Sequence, residues 1–222
     1  MKILAIDTAT AACSAALMGD GVIIAARHVA MLRGHAEALL PMVEEVMAEA
    51  DVAYDALDLI AATVGPGAFT GLRVGLAAAR GLALAGGLPI IGVTTLEALA
   101  HAVEDGSGER SVVAVLNARR EEVYYQAYDA KLAPLGPPRV GAAEMVDLPD
   151  GPVLLVGDGA ALLPAARDGN RSDVEVMPGV LPDAAVVAAI AAARFDPAAP
   201  PESPPEPLYL RSSGARAPAG AS

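Results

Sequence analysis

Thr63-Val64-Gly65-Pro66-Gly67-Ala68-Phe69-Thr70-Gly71-Leu72-Arg73-Val74-Gly75, continuing as Leu76-Ala77-Ala78-Ala79-Arg80-Gly81-Leu82-Ala83-Leu84-Ala85, reads as a strand end, a glycine turn and a helix. Leu59 to Val64 is apolar and of strand length. Gly65-Pro66-Gly67 stops it, because proline fixes φ and removes a donor while glycine admits unusual φ. Thr70 has the chemistry of an N-cap, and helix formers follow it. Bare N–H groups at such a helix start suit an anion or a phosphate. The same glycines serve equally as a tight turn that lets a helix lie close on its sheet. Between positions 70 and 85 only Thr70, Arg73 and Arg80 are polar. A surface helix carries one apolar stripe. This one is apolar most of the way round, with Gly71 and Gly75 one turn apart where another backbone can come near. It is either a central buried helix or one side of a subunit contact.

The chain has 222 residues, 54% of them hydrophobic and 19% charged, with a net charge of −12. That length supports one large domain or two small ones, each with a core. No run approaches the roughly 20 apolar residues of a membrane helix. Asp7 interrupts the opening Met1-Lys2-Ile3-Leu4-Ala5-Ile6 too soon for a signal peptide. The single cysteine, Cys13, excludes an internal disulfide and fits a reducing cytoplasm. In a strand-like run it is a small core residue rather than a nucleophile. The acidic balance argues against autonomous nucleic-acid binding, which draws its affinity from Lys and Arg on phosphates. Any RNA contact is expected mainly through a partner.

Lys2 to Ile6 reads as a first strand, ending at Asp7-Thr8-Ala9-Thr10. Ala12 to Met18 and Val22 to Val29 are two more, joined by Gly19-Asp20-Gly21 in a hairpin. A helix follows from Gly34 to Ala50, with Pro41 implying a kink or a late start. Leu39, Val43, Val46 and Ala50 line one apolar face, and Leu40, Met42 and Met47 a second. Four residues after His35, where a helical ligand pair would place another histidine, stands Leu39. His28 and His101 lie in unrelated elements, so no metal site is expected. Pro89 to Val93 is a strand, Thr94 and Thr95 open a helix, and Glu104 to Arg110 is read as the domain break, giving a lobe over 1–105. The second half repeats the theme over 110–195. Strands at 111–116, 122–128 and 153–156 are followed by Gly157-Asp158-Gly159-Ala160 and a helix to Ala166. A short strand at 174–176 and a helix over 183–195, capped by Asp183, complete it. Residues 196–222 form an extended, proline-rich tail in which 207–211 docks and the last residues are disordered.

Three pieces together resemble a known family: Ile3-Leu4-Ala5-Ile6-Asp7-Thr8-Ala9-Thr10, the Gly65 to Arg73 run with its helix, and Gly92-Val93-Thr94-Thr95-Leu96-Glu97-Ala98-Leu99. They look like the bacterial TsaB (YeaZ) proteins. His35-Ala36-Glu37, Ala118-Arg119-Arg120-Glu121-Glu122-Val123-Tyr124 and Pro207-Leu208-Tyr209-Leu210-Arg211 are similar to further family stretches. The resemblance implies an α/β protein of the actin-like, hexokinase-like (ASKHA) ATPase fold, two lobes each with a mixed sheet flanked by helices. It implies a non-catalytic subunit in the threonylcarbamoylation of adenosine 37 of tRNA (t6A), with no metal and no catalytic residue of its own. Its partners would be the TsaD transferase, the ATPase TsaE and, without TsaD, a second copy of itself, with tRNA reached mainly through the complex and no membrane contact. The apolar helices would supply the partner interface: Leu39, Val43, Val46 and Met47 from one, Gly71, Leu72, Val74, Gly75, Leu76 and Ala79 from the other.

Two other functions are carried beside this one. A working ATPase or small-molecule kinase of the same fold would use Asp7, Thr8 and Thr10 at one turn. Gly65 and Gly67 at the helix start and Gly157 and Gly159 in the second half would complete its nucleotide site. Weak ATP or ADP binding without turnover is compatible with those residues. A protease would need a nucleophile activated by a base; Ser14 and Cys13 have no histidine partner legible in the sequence.

Overall fold

The computed structural model describes residues 1–103, 109–169 and 171–211. Its first sheet holds β1 (Lys2–Asp7), β2 (Ala12–Gly19), β3 (Val22–Ala30), β4 (Leu59–Gly65) and β5 (Ile90–Thr94) in the order β3-β2-β1-β4-β5. β2 runs antiparallel to β1, and β4 and β5 run parallel to it. A two-residue turn at Asp20 and Gly21, both at positive φ, closes the β2–β3 hairpin in the sense that matches strand twist. β1 and β4 are apolar almost throughout because helices cover both faces of this sheet. On one face Leu4, Ile6 and Leu17 meet α1 (His35–Glu49) and α2 (Phe69–Gly86) through Leu39, Val43, Val46, Leu76 and Ala79.

The second sheet holds β6 (Ser111–Arg119), β7 (Glu122–Tyr128), β8 (Arg139–Ala142), β9 (Val153–Val156) and β10 (Val174–Met177). Its order, read from the other edge, is β8-β7-β6-β9-β10, with the same strand directions as the first. The two sheets are one plan used twice. Each lobe completes its core with a helix that follows the other lobe's sheet. α3 (Thr95–His101) leaves β5 and packs Leu96 and Leu99 against Val112, Ala114 and Leu116. α5 (Ala184–Arg194) comes after β10 and covers the open face of the first sheet, with Val187, Ala188 and Ala191 on Ile3, Ala5 and Leu59. A lobe drawn over 110–195 therefore includes a helix that packs on the other sheet. The break expected at Glu104 to Arg110 falls mostly on residues outside those described.

Several local readings change. α2 begins at Phe69, with Ala68 as an extended N-cap that makes no side-chain cap bond, so Thr70 lies inside the first turn. The chain turns early because the Ala68 N–H donates to the Ala9 carbonyl at 2.7 Å. α1 starts at His35 and runs through Pro41 without a late start. The helix expected to end at Ala166 is a 3-10 turn over Ala160–Leu162 followed by α4 (Pro164–Arg167). Pro164 drives Leu163 to an extended backbone, which breaks the helix before it can propagate. Within 207–211 the Leu208 N–H donates to the Val64 carbonyl at 2.7 Å. Positions 212–222 lie outside the described residues.

Candidate functional site

The end of β1 carries the first turn residues into a closed setting. Asp7 is fully buried; Thr63 Oγ1 donates to its Oδ1 at 2.6 Å and the Ala9 N–H to the same oxygen at 3.2 Å. Oδ2 has no partner. Burial pushes the Asp7 carboxyl up to about 7, opposed by the two donors and helped by the nearby Asp183. Thr8 donates its hydroxyl to the Gly71 carbonyl at 2.7 Å, and Thr10 Oγ1 is buried without a partner. Across from these residues the glycine turn is filled by the protein's own backbone. A methyl on Gly67 would strike the Ala9 carbonyl, and one on Gly71 or Gly75 would strike Thr8. Gly65, at a φ of 109°, holds a conformation that L side chains rarely adopt. Of the two readings of this motif, the structure shows the tight one: the helix start presses on the β1 turn and its first donor is already used.

The second turn repeats that packing in the other lobe. Gly157, at a φ of 98°, approaches the Val115 carbonyl, and the Gly159 N–H donates to the same oxygen at 3.1 Å. Asp158 accepts from the Asn117 N–H at 2.9 Å. Thus Asp7, Thr8, Thr10, Gly65 and Gly67 come together, Gly157 and Gly159 form a separate cluster on β6, and in both the glycines are used for backbone contact. The glycine faces at both turns are taken up by the chain's own backbone, whereas Asp7 Oδ2 and Thr10 Oγ1 stay buried without a partner.

The helix residues expected at a partner interface are almost all inside the chain. Leu39, Val43, Val46, Met47, Gly71, Leu72, Gly75, Leu76 and Ala79 are buried, and only Val74 is half-buried. Their apolar excess is spent on the first sheet and on the β1 turn. What α1 and α2 expose instead is Leu40 and Phe69, each about half exposed, and Leu84, 86% exposed, with Ala36, Ala77 and Gly81 also at the surface. His35 places Nε2 3.1 Å from the Thr10 carbonyl, and Leu39 is 1% exposed in the core. Among the described residues no group of three or more His, Cys, Asp or Glu is arranged to hold a metal ion. The sequence did not reveal a serine–histidine neighbourhood: Ser14 and His28 are register partners across β2 and β3, with His28 Nδ1 3.2 Å from Asp183. Ser14 is fully buried and its hydroxyl accepts from the Ala184 N–H at 3.0 Å, in the first turn of α5. Only the pairing of strands reveals that contact; spacing along the chain cannot.

A mixed sheet of fixed strand order, used twice, with a buried acid at the end of the first lobe's opening strand and exchanged closing helices, defines an α/β protein of the actin-like, hexokinase-like (ASKHA) class. Residues 28–158 match the family model described as TsaD, tRNA N6-adenosine threonylcarbamoyltransferase. The Escherichia coli protein TsaB, named for tRNA threonylcarbamoyladenosine biosynthesis, is 43% identical over 129 residues, which are 58% of this chain and 55% of that one. The chain spans about half the length of the curated relatives it matches. Two solved structures from Pseudomonas aeruginosa superpose well. One, described as an uncharacterized protein with similarity to peptidase YeaZ, has a TM-score of 0.82 at 33% identity, covering 95% of this chain and 99% of that one. YeaZ itself has a TM-score of 0.76 at 34% identity, covering 87% and 92%. The chain belongs to the TsaB (YeaZ) family. No helix among the described residues is long and apolar enough to cross a membrane.

Proposed function

We propose that this chain is an accessory subunit in the threonylcarbamoylation of tRNA adenosine 37, pairing with a TsaD-type transferase and supplying surface rather than transfer chemistry. The observation that carries this reading is at α1: His35 is held by the Thr10 carbonyl, and the position four residues on is Leu39, in the core. The relatives' names supply the pathway. The partner surface we propose is the outward ridge of α1 and α2, with Leu40 and Leu84 as its exposed apolar points. Exposed apolar side chains on two adjacent helices favour association with another helical face. The same ridge serves a second copy when TsaD is absent, and the joint edge of the pair receives TsaE. tRNA is reached mainly through the complex, given the net charge of −12. The cytoplasm is the compartment of that chemistry.

Size-exclusion chromatography with light scattering, on the chain alone and mixed with TsaD from the same source, tests the pairing. A homodimer that converts to a mixed complex is expected. A monomer that ignores TsaD would overturn the reading. ATP hydrolysis by the isolated chain, lost on Asp7→Ala, would instead establish an ATPase of the same fold.

A further inference from the structure

After α5 the chain does not simply leave the surface. The Arg80 guanidinium donates to the Pro205 carbonyl at 2.6 Å, and Pro205 lies against Gly92 of β5 so closely that a methyl there would be 2.7 Å from its Cβ. The Leu208 N–H takes the Val64 carbonyl at the end of β4, and the Leu208 side chain packs against the first core. Its carbonyl sits 3.0 Å from where Gly65 would carry a Cβ. Tyr209 accepts from Arg73 Nε at 3.2 Å, beside the Phe69 ring at 5.8 Å, and the Arg73 guanidinium lies 3.3 Å from the Phe69 ring centre. Two residues later the chain has reached the other lobe. Arg211 donates to the Ala118 carbonyl at 3.2 Å and pairs with Glu122 at the turn end of the β6–β7 hairpin. Pro204, Pro205 and Pro207 restrict the free segment, so little order has to be gained on docking.

We propose that residues 203–211 act as a strap between the lobes. It covers the carboxyl ends of β4 and β5, where open α/β sheets admit ligands, and it fixes the angle between the two sheets. The lobes are thereby held in one arrangement by the chain itself. The anchoring is unequal. On the first lobe it rests on a backbone hydrogen bond, a packed leucine and an arginine–aromatic stack. On the second it rests on Arg211, whose pair with Glu122 is more than a third exposed on each side. An exposed pair is weak, so the second-lobe end is where the strap releases first. The inference holds whether or not the chain pairs with TsaD.

Arg211→Glu and the exchanged pair Arg211→Glu with Glu122→Arg test it, read by amide hydrogen exchange. In Arg211→Glu, exchange of 208–211 and of 116–122 is expected to accelerate by about tenfold or more, while β1 and α5 stay protected as in the parent. The exchanged pair restores protection in both segments. Unchanged exchange in Arg211→Glu, or a loss that the exchanged pair does not repair, overturns the strap. Small-angle scattering on the full-length chain supplies the second measurement: Arg211→Glu should show a larger radius of gyration than the parent, and superimposable curves would refute the lock between lobes.

Discussion

Replacing Asp7 by Asn isolates the effect of one buried carboxyl on the whole fold. Asp7 is fully buried with one oxygen unpartnered, and its carboxyl is pushed from an ordinary value of 3.8 up to about 7, chiefly by desolvation. The folded protein therefore holds the proton more tightly than the unfolded chain does. Stability from this group is complete below the unfolded value near 4, falls as pH rises, and levels off once pH passes about 7. About three pKa units at ~1.4 kcal/mol each set a ceiling of ~4 kcal/mol for that fall. Asparagine is isosteric and never ionises. Its side-chain oxygen can still accept from Thr63 and from the Ala9 N–H, the two donors that hold Asp7 Oδ1. Urea denaturation of parent and variant in parallel, between pH 4.5 and 8.5 on the order of one unit apart, gives the difference directly and cancels every other titrating group. The difference should be small at the acid end and grow to about 3 kcal/mol in favour of Asn by pH 8. A difference that stays constant within ~0.5 kcal/mol across the range would mean that Asp7 titrates alike in both states, and the closed first turn would not be what sets it.

Leu84→Glu and Leu76→Glu separate surface from core on one helix. The first, at an 86% exposed residue, should change urea stability by less than ~0.5 kcal/mol yet weaken association in light scattering. The second, at 3% exposure, should unfold the chain, and a folded Leu76→Glu monomer would restore that side chain to the interface. Gly71→Ala should destabilise by about 1–3 kcal/mol because its methyl meets the Thr8 carbonyl, while Gly81→Ala, with open space around it, should stabilise by about 0.5–1 kcal/mol. Equal effects at the two positions in thermal melts would rule out close approach as the reason for Gly71. Burial and the Asp7 carboxyl push the Cys13 thiol up to about 11, so alkylation at pH 8 should be far slower in the native chain than in urea. Matching rates would show that β2 opens readily.

Most of the fold was legible because its signals are local. The apolar runs at 2–6, 59–64 and 153–156, the hairpin turn and the helical stretches at 34–50 and 70–85 each declare themselves within a dozen residues, and the structure contains all of them. What spacing could not supply was partnership. Leu39, Val43 and Leu76 read as excess apolar surface because α1 and α2 were each weighed against one sheet face. In the structure they also pack on one another, and Gly71 and Gly75 receive the β1 turn. The glycines at 65 and 67 left phosphate and packing open for the same reason: a turn's chemistry does not say which atoms stand opposite it. Ser14 and His28 became neighbours only through strand register, and α5 joined the first sheet only through a return across the second. Leu208 was readable as a docking residue, yet its acceptor at Val64 lies more than a hundred positions away.

The exchanged helices bear on how the chain is made. While the ribosome has delivered only the first half, one face of the opening sheet, with Ile3, Ala5, Leu59 and Ala61, has nothing to cover it. Its lid is encoded at 184–194, so the first lobe stays half-dressed through most of synthesis, a period of order ten seconds at typical elongation rates. The usual sequence of one domain finishing before the next begins is closed to this protein. Its lobes must finish together, which makes the nascent chain a natural client for whatever shields bare sheet faces during translation.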